Sequence, residues 1–258
     1  MACRASSKTF IMAIIDTGID FAHPNLEKKI YQIKNFPHGI DLSFGAKKQT
    51  DPIDLDGHGT HMAGIISQET KDQVEIKILP LKYFSARATP QENMNSLMQA
   101  LELAITQKVH LILYTSAGES YSLREEELFK KALKNNIFIV TSSGNQQRNI
   151  DHEKYYPCSY QLKNIICVGA YDEKKRRWEK SNYGKKTVTL FAPGENISST
   201  LPFSSFGLLS GTSQAAAYVA ARIARLFYQL KKWGVNERKL IIKTLLSSPQ
   251  LLREEDLQ

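Results

Sequence analysis

The sequence predicts an α/β fold, a mostly parallel central sheet flanked by helices. Continuous apolar runs recur along it: Phe10-Ile11-Met12-Ala13-Ile14-Ile15, Leu111-Ile112-Leu113-Tyr114 and Ile137-Phe138-Ile139-Val140. Runs of that length and composition are what strands buried on both faces require. Between them, apolar residues fall at helical spacing. Strand and helix in alternation imply right-handed crossovers between parallel strands. The 258 residues contain no repeat, low-complexity stretch or linker, so they read as a single domain over 1–258.

The first strand, from Phe10 to Ile15, ends at Asp16-Thr17-Gly18-Ile19-Asp20. Open α/β sheets place their chemistry at the C-terminal ends of strands, although an Asx-turn would also explain this acid. Residues 31–55 are polar and irregular. A short helix follows from Thr60 onward, after His58 between two glycines. Ile76 to Lys82 alternates like a strand, and Pro80 within it predicts an edge or bulge. Met94, Leu97, Met98, Leu101 and Ile105 mark an amphipathic helix. Ser122 with Glu125 reads as a capping box opening a helix that ends near Asn135-Asn136. Ile165 to Val168 and Val188 to Phe191 supply two more strands. The loop Ser205 to Ser210 leads to Gly211-Thr212-Ser213 and a helix from Ala215 to Leu230. A last amphipathic helix runs from about Glu237 to Leu246.

Hydrophobic residues make up 42% and charged residues 23%, which excludes wholesale disorder. Lys and Arg number 34 against 26 Asp and Glu, a net +8 that would suit nucleic acid, membrane or an acidic substrate without choosing among them. The run Lys174-Lys175-Arg176-Arg177-Trp178 reads as a solvated hairpin tip rather than a nucleic-acid site. No apolar run approaches the roughly 18 residues of a membrane span. Met1 to Thr9 has no apolar core of a signal peptide, which fits a cytoplasmic chain or one trimmed of its leader. Cys3, Cys158 and Cys167 are odd in number and widely spaced, which argues against a disulfide scaffold, and Cys167 reads as a buried thiol.

Three polar groups stand at element ends: Asp16, His58 and Ser213. A serine between a tight turn and a helix N-terminus presents its hydroxyl beside N–H groups that suit a forming anion, though the same position suits a helix N-cap. The hydroxyl attacks only when a base removes its proton. An imidazole can do this near neutrality, and a carboxylate can orient the imidazole. His58 and His61 invite a zinc reading, but neither a His-Glu-x-x-His pattern nor a zinc-spaced Cys pair is present, so no metal is expected there.

These residues carry a resemblance to the subtilisin-like serine proteases, the subtilase family (peptidase S8). Ala13-Ile14-Ile15-Asp16-Thr17-Gly18-Ile19-Asp20, followed by His23-Pro24-Asn25-Leu26, resembles the family's aspartate region. Gly57-His58-Gly59-Thr60-His61-Met62-Ala63-Gly64 resembles its histidine motif, and Ser210-Gly211-Thr212-Ser213-Gln214-Ala215-Ala216 its serine motif. Tyr156-Pro157-Cys158-Ser159, Val168-Gly169-Ala170, Ser181-Asn182-Tyr183-Gly184 and Phe191-Ala192-Pro193-Gly194 add supporting matches in the right order. The resemblance implies a three-layer subtilisin-like fold and a serine endopeptidase working through an acyl-enzyme. Ser213 would be nucleophile, His58 the base and then acid, Asp16 the orienting carboxylate and Asn145 the oxyanion-hole donor. Ser116-Ala117-Gly118 and Ser142-Ser143-Gly144 would line the cleft for an extended polypeptide. Limited processing of a peptide such as a leader is one possible role.

The chain departs from the family at Gln214, Ala217 and Tyr218, where Met, Pro and His are usual. Ser67 to Glu75 replaces a longer loop that wraps calcium in many relatives, and Asn25 stands where many carry an aspartate ligand. No cofactor is therefore expected, with the tight calcium site absent. A monomer without nucleic-acid or membrane partners is expected. The rival readings are a catalytically silent binding module on the same fold, a basic nucleic-acid-binding protein, and a serine hydrolase acting on something other than proteins.

Overall fold

In the computed structural model, which describes residues 9–46, 51–71, 75–230 and 232–257, β1 (Phe10–Asp16) is an inner strand of a seven-stranded sheet. The other strands are β2 (Ile40–Asp41), β3 (Ile76–Lys82), β4 (Leu111–Tyr114), β5 (Phe138–Ser142), β6 (Ile165–Tyr171) and β7 (Leu190–Pro193). Their spatial order is β2-β3-β1-β4-β5-β6-β7, and every pairing is parallel. From β1 the chain steps outward to β3, then jumps back across β1 to β4. The switch point therefore lies between β1 and β4, where this class of sheet opens its crevice.

Alternation along the strands sends residues to two cores. Phe10, Met12, Ile14, Leu113 and Val140 pack with α1 (His58–Glu69) and α4 (Thr212–Gln229). Ala13, Ile15, Ile112 and Ile139 pack with α2 (Pro90–Thr106) and α3 (Leu123–Lys134) on the opposite face. The stripe Ala215, Ala216, Ala217, Ala220, Ala221 and Ala224 on α4 is fully buried, so small side chains let that helix lie close to the sheet. A final helix, α5 (Arg238–Leu245), joins the same core through Ile241 and Leu245.

Several local expectations need adjustment. β3 is an inner strand, but Pro80 faces away from β1. The flanking Ile78 and Lys82 carbonyls accept outward from Tyr31 and Leu42, and β2 covers only Leu81 and Lys82. The missing donor of Pro80 thus falls in a gap at the sheet's rim. The box at Ser122 is half formed: Ser122 Oγ accepts from Glu125 N at 3.3 Å, but the Glu125 carboxylate turns inward to the Tyr114 and Tyr160 hydroxyls. The complete box belongs to Thr89 and Glu92 at the start of α2.

Residues 205–210, expected as a loop, contain strand β9 (Ser205–Leu209), which pairs antiparallel with β8 (Ile197–Leu201). The hairpin turns on Phe203 and Ser204, both at positive φ (62° and 54°), with no glycine to signal it. The expectation for the cysteines is corrected as well. Cys158 and Cys167 form a disulfide with Cα atoms 5.3 Å apart, because the chain turns back at Gln161 and enters β6 beside the segment it has just left. Cys3 and most of Met1–Thr9 lie outside the described residues. The basic run 174–177 forms a tight turn whose Asp172 carboxylate accepts from the Lys174 and Arg176 N–H groups at 2.9 Å. Trp178, at its end, is buried.

Candidate active site

Asp16 is the last residue of β1 and is buried. His58 is the first residue of α1 and keeps about a third of its side chain exposed, at 32%. His58 Nδ1 lies 2.7 Å from Asp16 Oδ1. A carboxylate only accepts, so the shared proton sits on Nδ1, and Nε2 is the nitrogen that serves as base once the imidazole is neutral. Asp16 is itself fixed: Oδ1 accepts from Thr17 N at 2.8 Å and Oδ2 from Thr115 Oγ1 at 3.0 Å. Thr115 follows β4 directly, so the carboxylate is clamped across the switch point.

The N-terminus of α1 is held with equal care. His58 N donates to Asp56 Oδ1, Gly59 N to Thr17 Oγ1 and Thr60 N to Asp54 Oδ2. Each early helical N–H, which has no partner inside the helix, thus finds one outside it. Asp54 is the hub. Its buried carboxylate accepts from Thr17 Oγ1 (2.9 Å), Asp56 N (3.1 Å), Gly57 N (2.9 Å), Thr60 N (2.9 Å) and Thr60 Oγ1 (2.6 Å). Gly59 lets the first turn press on the end of β1, since a Cβ there would lie 2.1 Å from the Gly18 carbonyl oxygen. Asp54, Thr17 and Thr115 went unmarked in the sequence reading. The available signal was an acid three residues before Gly57 and six before Thr60.

Burial resists charging His58, but the adjacent Asp16 carboxylate outweighs it, with help from Asp56 and Asp54, and raises the imidazole to about 9. Burial likewise pushes Asp16 up, and His58 with the Thr17 and Thr115 donors more than reverses this, leaving Asp16 below the usual range. The two groups share one ion pair, so each stabilises the charged form of the other.

Ser213 is the second residue of α4, half-buried, four residues after the end of β9. Its N–H belongs to the first helical turn. No hydrogen bond joins Ser213 to His58 among the described residues, and such contacts commonly tighten only around a substrate. Asn145 is exposed, and its side chain is oriented: Oδ1 accepts from Thr212 N at 3.0 Å and Thr212 Oγ1 at 2.8 Å. With the oxygen engaged, the Nδ2 donors are turned out beside the helix end. Gly144 N donates to the same Thr212 hydroxyl at 3.2 Å, which ties the 142–144 segment to α4. The 116–118 segment lies alongside, with Ser142 Oγ donating to the Thr115 carbonyl at 3.1 Å. Ser116, Ala117 and Gly118 therefore adjoin Ser142, Ser143 and Gly144, and the second segment is bonded to the start of α4.

His61 stands apart from this chemistry. It is buried, its Nε2 lies 3.3 Å from the Gly207 carbonyl oxygen, and burial lowers its pKa. No cluster of three or more His, Cys, Asp or Glu side chains suited to a metal occurs among the described residues. Around Asn25 and the end of α1, the cavity is lined by Lys28, Lys29 and Lys71 without a carboxylate among the described residues. A hard dication needs several oxygen ligands, carboxylates foremost, so these residues do not fit one. Residues 72–74 of that region lie outside the described residues. Gln214 is buried behind Ser213. No helix among the described residues is long and apolar enough to cross a membrane.

The model of the subtilase family matches residues 7–255. The chain is 33% identical over 224 residues to the major intracellular serine protease of Bacillus subtilis (strain 168), covering 84% of this chain and 68% of that protein. It is 30% identical over 223 residues to the thermophilic serine proteinase of Bacillus sp. (strain AK1), covering 84% of this chain but only 52% of that longer protein. In fold it superposes on a cold-adapted subtilisin-like serine proteinase with a TM-score of 0.78 at 21% identity, covering 95% of this chain and 83% of the other. A lanthipeptide protease gives a TM-score of 0.74 at 21% identity, covering 93% and 79%.

Proposed function

Because the chain belongs to the subtilase family of serine endopeptidases, we propose that it hydrolyses peptide bonds with Ser213 as nucleophile. The observation that carries this is the Asp16–His58 pair at 2.7 Å, which orients the imidazole to act as the base for a nucleophile. His58 Nε2 takes the Ser213 Oγ proton as oxygen attacks the substrate carbonyl. The carbonyl oxygen becomes an oxyanion that accepts from Asn145 Nδ2 and the Ser213 N–H. His58 then gives its proton to the leaving amine, and the acyl-enzyme remains. Water repeats the sequence: His58 takes its proton, hydroxide adds to the acyl carbon, and Ser213 Oγ leaves with the proton returned. The polypeptide lies extended between the 116–118 and 142–144 walls.

The test is intact-mass spectrometry after a fluorophosphonate probe. One adduct on the wild type, absent from Ser213→Ala, supports the reading. No adduct on the folded wild type defeats it in favour of a silent binding module.

Asn145→Leu is expected to lower kcat by about 10²–10³-fold with little change in KM, because the donor serves mainly the transition state. A loss confined to KM would show that Asn145 binds ground-state substrate instead. The base must be neutral to act, so kcat/KM is expected to rise with pH and level off above an inflection near 9. The lysine-lined region by Asn25 leads to a further expectation: EDTA leaves the melting temperature unchanged. A fall reversed by calcium alone would refute it.

A further inference from the structure

Tyr155 lies between the two walls of the cleft. Its ring edge rests against Gly144: a Cβ at that glycine would lie 2.5 Å from Tyr155 Cε1. On the adjoining ring carbon, the hydroxyl donates to the Ala117 carbonyl oxygen at 3.4 Å and also bonds the Gln146 side chain. The phenol thus bridges the 142–144 segment to the 116–118 segment. It is only 7% exposed and packs in a cluster with Ile150, Cys158, Cys167 and Phe191, against which Ala117 also rests. The backbone is equally fixed. Tyr155 N donates to Ser159 Oγ at 3.0 Å, and the neighbouring Tyr156 pairs with Gly118 through hydrogen bonds of 2.7 and 2.9 Å. The ring cannot swing aside without breaking this frame.

The ring against Gly144 lies next to the groups that would hold a substrate carbonyl, since Gly144 N and the Asn145 side chain both bond Thr212 at the start of α4, and the pocket at issue is the space between the 116–118 and 142–144 segments. Resting on the endopeptidase reading above, we propose that Tyr155 sets the depth of this pocket and makes the enzyme selective for a small side chain, Gly, Ala or Ser, at the residue whose carbonyl is attacked. A large aromatic or branched side chain would need the volume that the phenol fills.

The test uses matched fluorogenic tetrapeptides that differ only in that residue, Ala or Phe. The wild type is expected to favour Ala at least about tenfold in kcat/KM, the scale on which pocket shape discriminates. Tyr155→Phe keeps the ring and is expected to keep the ratio. Tyr155→Ala is expected to shift the ratio toward Phe by at least about tenfold. A structural role alone would lower both substrates together and leave the ratio unmoved. An unchanged ratio in a Tyr155→Ala variant that is folded and still labelled by fluorophosphonate overturns the proposal, as does a wild type that prefers Phe. A second arm does not depend on turnover: the affinity of Ser213→Ala for peptides ending in Ala or Phe, by calorimetry. Tighter binding of the Ala peptide by a chain that hydrolyses nothing would support the pocket while the endopeptidase reading fell. Equal binding would overturn the pocket.

Discussion

Asp16→Asn is expected to lower kcat by about 10⁴-fold while the chain remains folded. The neighbours decide how the amide sits. Oδ1 accepts from both Thr17 N and His58 Nδ1, and an N–H from Thr17 cannot accept, so the amide oxygen must stay at that position. The amide nitrogen then faces Thr115 Oγ1, a hydroxyl able to accept. The histidine tautomer survives, and what is lost is the negative charge that stabilises the imidazolium formed when Ser213 gives up its proton. His58 should therefore titrate lower than in the wild type, where Asp16 helps raise it from its ordinary 6.5 to about 9. The inflection of the pH–rate profile should move down with it, and NMR titration of the imidazole would read the shift directly.

Linkage gives the sign of a second readout. A histidine raised on folding contributes stability that is full below 6.5 and is lost as pH climbs through about 9. The lowered Asp16 contributes above 3.8 and is lost as pH falls below that value. Between pH 6.5 and 9 the wild type should lose melting temperature more steeply than Asp16→Asn. An Asn variant with wild-type kcat, or with an unmoved inflection, would remove Asp16 from the mechanism.

Different parts of this molecule are legible for different physical reasons. β1, β4 and β5 show in the sequence because burial on both faces strips a strand of polar residues. The β8–β9 hairpin does not, because it is half-exposed and turns on Phe203 and Ser204 without Gly or Asn. The Cys158–Cys167 bond is invisible to spacing, since only the turn back at Gln161 brings the two together. Asp16, His58, Asn145 and Ser213 stand out in the sequence because each sits in a motif at or near an element's end. Tyr155 could not, because a tyrosine beside Tyr156-Pro157 looks like ordinary core until its ring is seen between two walls. Asp54 was hidden for a third reason. A carboxylate in a polar, irregular segment looks the same whether it faces water or accepts five buried hydrogen bonds.

Asp54 consequently yields the largest expected loss of stability. Asp54→Ala removes the acceptor for Thr17 and Thr60 hydroxyls and for three backbone N–H groups. Buried donors left unpaired weaken a fold by about 1–3 kcal/mol each, and partial relaxation makes a total on the order of 3–5 kcal/mol reasonable. That corresponds to a fall of roughly 10 °C in melting temperature for a chain of this size. Activity should fall as well, because His58 rides on the turn that Asp54 anchors, and misplacing a reacting group by about 1 Å can lower rate by about 10²-fold. The effect belongs in kcat and in the fluorophosphonate labelling rate, with KM little changed, since Asp54 touches no part of the cleft walls. Asp54→Asn separates the contributions. Its oxygen can still serve Thr17, Asp56 and Gly57, but its nitrogen cannot accept from Thr60 N, so both losses should be intermediate. If Asp54→Ala melts within about 2 °C of the wild type, under roughly 1 kcal/mol, and labels at the same rate, the anchoring role is wrong and α1 holds His58 by packing alone.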